Sequence, residues 1–305
     1  MTVARAVGYE NYSTNNGNYI PEIFSGKLVR KFYDHTVFAA ISNTDYEGEI
    51  KSMGDTVHIR TRPDIVISDY EIGGGLGTAQ RPTSPGVDLL IDKAKFYNTG
   101  INNIDALQSD IKLMDEWADD AAEQMKIEID KDLLGNIYTD AAGTNSGATA
   151  GRISGDINLG EAGTPLSVDK NNILDTIVDY GVVLDETNTP ETGRFLVMPA
   201  WMCALIKKSD LKDASLAGDG TSIMRNGRVG MVDRFEIFMS NNVAKVGAEY
   251  QIIAGHKEGI TFAAQMTESR IVDDPFEFQK LLQGLNVYGY EVINPNLLLH
   301  SVVTK

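Results

Sequence analysis

A single cysteine in 305 residues, Cys203, excludes an intrachain disulfide and fits a reducing compartment. Its neighbours Trp201 and Met202 put it in an apolar helical turn, where a lone thiol is a small core residue rather than a nucleophile. Histidine is nearly as scarce, with only His35, His58, His256 and His300. No HExxH, CxxC or His-x-His spacing occurs, so the common transition-metal signatures are absent. Long hydrophobic runs are missing too. No stretch approaches the roughly 18 apolar residues of a membrane span. The start, MTVARAVGYENYSTNNGNYIPE, has neither the basic head nor the apolar run of a signal peptide. A soluble, non-exported chain is expected, which makes Asn11-Tyr12-Ser13 a chance match to a glycosylation acceptor. Positive charge is short as well: Lys+Arg 27 against Asp+Glu 43 leaves −16. Duplex DNA is gripped by exchanging condensed cations for Lys and Arg, and this balance argues against that role.

Apolar residues make up 42% of the chain, enough for a substantial core, and the length allows two domains or one elaborated domain. The strongest signal is a stripe at steps of three and four: Ile104, Leu107, Ile111, Met114, Ala118, Ala121, Met125, Ile129 and Leu133. It predicts one helix from Asp105 to about Thr139, roughly 50 Å long, with Asp105 and Gln108 resembling a capping box. Between Asp105 and Asp132 ten acids face three bases, so this segment carries −7.

Before it, from Gly54 to Gly100, the period changes to two. Val57, Ile59 and Thr61 alternate with His58, Arg60 and Arg62, and Val87, Leu89 and Ile91 with Asp88 and Asp92. The expectation is a long two-stranded arm, with strands of about 15 residues reaching on the order of 50 Å. Its tip would be Gly73-Gly74-Gly75-Leu76-Gly77. That tip fits neither GxGxxG nor a P-loop, and its glycines are better read as permitting positive φ. An isolated hairpin is marginal in water, so another subunit is expected beneath it. Residues 1–45 read as an extended arm with one short helix near Ile20–Phe32, again needing a partner surface.

Beyond a polar loop at Ala141–Ala150 the pattern turns α/β. Asp169 can cap a helix that puts Ile173, Ile177, Tyr180 and Leu184 on one side. Arg194–Met198 reads as a buried strand, and Pro199 sits at the first position of a helix running to Ser209. Strands are expected at Phe235–Ser240, Tyr250–Ala254, Ile260–Phe262, Phe276–Phe278, Val287–Val292 and Leu297–Val303, the terminal ones folding back onto the long helix. No catalytic arrangement appears. Asp130-x-Asp132 followed by Gly135 fails as a calcium loop, because Leu134 and Ala141 fall where ligands are needed. Asp119-Asp120 and Asp273-Asp274 are adjacent carboxylates that point apart. There is no GxSxG. No catalytic, cofactor-binding or metal-ligating residue is assigned, and no cofactor is expected.

The order of arm, hairpin, long helix, α/β domain and returning strands resembles the major capsid proteins of tailed double-stranded DNA bacteriophages, with the Hong Kong 97-like fold. The segments that carry this resemblance are Tyr19–Ser25, Tyr46–Lys51 with Gly54–Val57, Arg194–Pro199, Asn226–Gly230 with Phe235–Asn242, and Tyr288-Gly289-Tyr290 before Pro295. One departure is Arg234, where the family often has Gly.

The resemblance implies an α+β chain divided as N-terminal arm 1–45, E-loop β-hairpin 46–102, P-domain with spine helix 103–160, α/β A-domain 161–255 and returning P-domain strands 256–305. The loop Gly218–Gly230 would approach the capsomer axis. It also implies a structural, non-enzymatic protein that self-assembles into pentamers and hexamers of an icosahedral head enclosing double-stranded DNA, without sequence-specific binding or a membrane. Portal, separate scaffolding and decoration proteins would be the partners. The chain would be found in the virion, after assembly in the host cytoplasm. Some such shells are crosslinked through Lys and Asn; Lys93 and Lys95 fall in the hairpin, but no motif carries that chemistry over. An encapsulin-like nanocompartment shell is the alternative, although the Asn-rich start does not resemble a cargo-docking helix.

Overall fold

The computed structural model describes residues 34, 36–45, 56–63, 65–73, 78–83, 86–104, 113–209 and 230–305. In chain order the helices are α1 (Phe38–Ile41), α2 (Leu113–Asn136), α3 (Ile173–Glu186) and α4 (Ala200–Lys208). The strands are β1 (Thr56–Arg60), β2 (Gly86–Leu90), β3 (Lys93–Asn102), β4 (Leu166–Ser167), β5 (Arg194–Met198), β6 (Met231–Val232), β7 (Phe235–Met239), β8 (Lys245–Val246), β9 (Glu249–His256), β10 (Ile260–Asp273), β11 (Gln279–Val292) and β12 (Leu298–Thr304).

They form three sheets. The largest runs β4-β12-β9-β5-β7-β6, with β8 added beside β9. All five residues of β5 are buried: Phe195–Met198 is the apolar run of a strand covered on both faces, and Arg194 opens it. The face of α3 predicted from its spacing (Ile173, Ile177, Tyr180, Leu184) is fully buried. Tyr180 adds a hydrogen bond from its hydroxyl to Ser301 Oγ at 2.8 Å. Asp169 does act ahead of α3, one turn early: its carboxylate accepts the backbone N–H groups of Asn171 and Asn172 at 2.7 and 3.0 Å. Those two backbone bonds hold its pKa below the ordinary carboxylate value. Pro199 occupies the N-cap of α4 rather than its first turn, with an extended ψ of 158°.

The second sheet is a ribbon, β10-β11-β3, whose two long strands pair antiparallel with one irregularity at Ala264/Met266. The third is the hairpin β1-β2, seated at the base of the ribbon through Ile59, Leu89, Ile91 and Ala263. Its expected length is corrected. Among the described residues its pairing spans Thr56↔Leu90 to Arg60↔Gly86, about 17 Å rather than 50. Pro63, Pro82 and Pro85 flank the paired stretch, and proline cannot donate to a ladder. Beyond Arg60, Gln80 clamps Val66 by donating to its carbonyl and accepting its N–H, at 2.8 and 3.1 Å. Gly73 has φ +88°, the left-handed bend for which the tip glycines were read.

Lys93 and Lys95 are corrected with it: they lie in β3 of the ribbon, opposite Tyr288 and Asn286 of β11. Phe276–Phe278 is not a strand but the turn joining β10 to β11. Of the long helix, α2 covers 24 residues, about 36 Å. A single 3-10 turn, Ile137–Asp140, ends it. The proposed cap at Asp105 and Gln108, and Leu107 and Ile111 of the stripe, fall outside the described residues. Ile129 and Leu133 are buried as the stripe predicts, together with Ile127, Leu134 and Ile137, whereas Ala118 and Ala121 are only half-covered. The arm outlined as 1–45 ends in the main core, where Val37 and Ile41 are buried against α2 and the large sheet.

Candidate assembly surfaces

Three junctions hold the parts in fixed relation. In the first, Tyr288 and Tyr290 project from one face of β11 and Gly289 from the other. The Tyr288 hydroxyl donates to Asp132 Oδ2 of α2 at 3.0 Å, and the Tyr290 hydroxyl donates to the Asp132 carbonyl at 3.0 Å. Burial and then the Asp132 carboxylate push the Tyr288 hydroxyl above its ordinary pKa. On the opposite face a Cβ on Gly289 would collide with the Leu90 carbonyl of β2. The Tyr-Gly-Tyr sequence thus fastens the helix to one side of the ribbon and the hairpin to the other. The terminal strands do receive the long helix, as expected.

In the second, the Asp130 carboxylate, fully buried, accepts the N–H groups of Val37 and Phe38 at 2.9 Å each and the Asn242 side-chain amide at 2.8 Å. It caps α1 from across the fold. Sequence reasoning tested this residue only as a failed calcium ligand. A usable signal was there: Asp130 falls three and four positions from Ile127, Leu133 and Leu134, on the buried side of its helix.

In the third, Arg194 at the start of β5 is buried, and its guanidinium donates to Asp185 Oδ1 and the Thr189 carbonyl at 2.7 Å each and to the Pro190 carbonyl at 2.8 Å. Arg234 meets the other Asp185 oxygen at 2.7 Å. Burial raises the Asp185 pKa, but the hydrogen bonds from Arg234 and Arg194 outweigh it and hold the carboxyl below its ordinary value. Asp233 and Arg234 have φ +44° and +68° and form the two-residue turn between β6 and β7. This is the conformation glycine favours, so the departure at Arg234 keeps a glycine-like turn and gains an ion pair.

The residues screened for chemistry are dispersed. Cys203 is buried, and burial pushes its thiol up to about 11, so it is a core residue as expected. His58 stays on the surface beside Asp88 at 2.6 Å. His256 receives the Glu258 N–H and contacts the Thr192 carbonyl. His300 is largely buried, 2.7 Å from Gln251 Oε1 and against the Tyr138 ring. Burial lowers its pKa to about 4. The unfolded chain therefore takes up a proton near pH 6.5 that the folded chain resists until about pH 4. Stability falls as pH drops through that window, by about 1.4 kcal/mol per unit. His300→Gln is expected to flatten this slope in denaturation midpoints measured from pH 7 to 4.5. His35 lies outside the described residues. Asp119 and Asp120 lie on α2, and Asp273 and Asp274 lie at the ribbon turn. Among the described residues no three His, Cys, Asp or Glu side chains could hold a metal ion, and no described helix is long and apolar enough to cross a membrane.

What the surface offers is uncovered apolar side chains on projecting segments. Ile65, Val66, Ile67, Tyr70 and Ile72 beyond the hairpin are all largely exposed, Ile72 to 97%. At the ribbon turn, Phe276 and Phe278 are 93% and 86% exposed, and Phe96 on β3 is 78% exposed. Contiguous apolar exposure of this kind marks sites of association.

A model of the phage capsid protein family matches residues 99–293. No curated protein matches the sequence. Solved structures match along nearly the whole chain. A chain from Mycobacterium phage Che8 shares 26% identity with a TM-score of 0.78, covering 93% of this chain and 97% of that one. The capsid of cyanophage P-SCSP1u matches at 15% identity and TM-score 0.70, covering 98% of each. The capsid of a native GTA particle, computed with C5 symmetry, matches at 13% and 0.66, covering 97% and 99%. The α+β architecture is the Hong Kong 97-like fold of phage capsids.

Proposed function

This chain belongs to the phage capsid protein family, and from that premise we propose that it assembles as pentamers and hexamers into an icosahedral head enclosing double-stranded DNA. The coarser role is settled by the family: a structural virion protein, a major capsid protein, and not an enzyme. The observation that carries the finer reading is the row of exposed apolar side chains from Ile65 to Ile72 on a limb with a short paired base. Such a limb is covered only by another molecule, and repeated symmetric contacts of this kind close a shell. In this reading residues 46–102 are the E-loop lying over a neighbour, with its last strand, β3, joining it to the ribbon. Residues 103–160 with 256–305 form the P-domain around α2 and the ribbon, and residues 161–255 form the A-domain toward the capsomer centre. Residues 1–45 form the N-terminal arm. The loop Gly218–Gly230, assigned to the capsomer axis, lies outside the described residues apart from Gly230.

The charge of −16 supports a container that does not grip its DNA. Portal, scaffolding and decoration proteins are the partners this role calls for, with assembly in the host cytoplasm. Electron microscopy of the purified protein, with and without a co-expressed scaffold, tests the proposal. Closed shells with five- and six-fold capsomers and nuclease-protected duplex DNA in the phage are expected. A persistent monomer, or shells that enclose a cargo enzyme instead of DNA, would overturn it.

A further inference from the structure

The turn between β10 and β11 is preorganised around two bare aromatic rings. Asp274 organises it: its carboxylate accepts the Phe276 N–H at 2.9 Å and also the Gln279 side-chain amide, and its own N–H donates to the Gln279 carbonyl at 3.0 Å. The Gln279 N–H closes on the Glu277 carbonyl at 2.9 Å, and Asn103 N–H donates to the Phe278 carbonyl at 2.9 Å. A turn whose backbone is already fixed presents its rings with little ordering cost, and buried aromatics dominate association energies.

The same ribbon carries a cavity of about 300 Å³ on its surface. Phe96 and Asn98 of β3, Gln283 and Leu285 of β11, and Glu268 and Arg270 of β10 line it, six side chains that strand alternation places on one face. A rung of hydrogen bonds fixes its polar end: Arg270 Nε donates to Gln283 Oε1 at 3.0 Å, and Gln283 Nε2 donates to Asn98 Oδ1 at 3.3 Å. On the opposite face Gly284 has no side chain, and the Tyr97 ring takes the place its Cβ would fill.

We propose that the Phe276–Phe278 tip of one molecule seats in the Phe96–Leu285 groove of a second copy of this chain. The inference rests on the shell reading and adds to it a specific pair of surfaces. The tip cannot fill its own groove, because Phe278 and Gln283 are five positions apart along the run into β11, about 17 Å. Charge is complementary: in this seating Glu277, between the two rings in sequence, would face the groove's Arg270, and Lys280 beyond the tip would face Glu268. Tip and groove are different surfaces, so the contact is head-to-tail and propagates from copy to copy until symmetry closes it.

Two measurements test this in a Cys203→Ala background that forms particles. In the first, Phe276→Cys and Phe96→Cys are combined, and oxidation of assembled particles is expected to give a ladder of covalent oligomers on a non-reducing gel, with neither single substitution giving one. Links from Phe276→Cys alone would mean that tips meet one another. Links between Phe96→Cys and Ile67→Cys would put the hairpin segment in the groove. Either result overturns the proposal, as does intact assembly without links in the double variant. In the second, Phe276→Ser with Phe278→Ser is expected to raise the concentration for half-maximal assembly on the order of tenfold or more. The thermal midpoint of the unassembled chain should stay put, because both rings already face water. Assembly at the parental concentration overturns the proposal. Failure of the parental chain to form particles at all rejects the shell reading itself and the inference with it, a result distinct from the others.

Discussion

Arg194→Ala is expected to destabilise the folded chain by about 4 kcal/mol, read as a drop in the denaturation midpoint of unassembled protein. The guanidinium is wholly buried and satisfies three acceptors on two elements: the Asp185 carboxylate near the end of α3, and the Thr189 and Pro190 carbonyls in the connection leading to β5. Alanine leaves the Thr189 carbonyl without its donor in the interior and adds a cavity at the start of β5. Arg234 continues to hold the other Asp185 oxygen, so the carboxylate is not left wholly unpaired. The informative control is Arg194→Met, which restores most of the volume but none of the donors. The difference between the two variants separates packing from hydrogen bonding. A loss below about 1 kcal/mol for Arg194→Ala would show that the three acceptors are rehydrated at little cost.

Asp130→Ala is expected to cost about 3 kcal/mol, because three buried or half-buried donors lose one shared acceptor. Two of them, Val37 N and Phe38 N, are the opening amides of α1, and the third comes from Asn242 beside the large sheet. The damage should be local in character as well as large. Limited proteolysis is expected to cut within residues 36–45 of the variant at concentrations that leave the parent intact. Asp130→Asn retains an acceptor for the α1 amides but no longer presents a carboxylate to Asn242, so its loss should fall between the two. Equal resistance of the parent and Asp130→Ala to protease would show that α1 is held by Val37 and Ile41 packing alone.

Elements with strong periodicity were legible before any coordinates. The α3 face, the apolar run Phe195–Met198 of β5 and the strands β7, β9 and β12 each lie within a few residues of where alternation or three-four spacing puts them, because burial on one side or both imposes that pattern locally. The alternation of Val57, Ile59, Val87 and Leu89 likewise located the paired base of the hairpin. Misreadings came where pattern and partner part company. Phe276-Glu277-Phe278 alternates like a strand, yet Asp274 and Pro275 turn the chain there, and its rings face water. Lys93 and Lys95 continue the hairpin's rhythm but pair with β11, nearly two hundred residues away. Period two says that a segment is extended and never says which strand lies beside it.

By itself, the sequence determined the class of molecule: α+β, poor in metal and disulfide chemistry, too acidic to grip DNA, with a long helix and projecting limbs that resemble a capsid protein. Composition and period are sums over local preferences, and they survive without knowledge of neighbours. Tertiary structure alone decided the rest. It placed Asp130 under α1, joined Arg194 to Asp185 and Arg234, set Tyr288 and Tyr290 on Asp132, and turned Phe276 and Phe278 outward above a groove on the same ribbon. Each of these is a contact between residues distant along the chain, and its energy depends on geometry that no local pattern encodes.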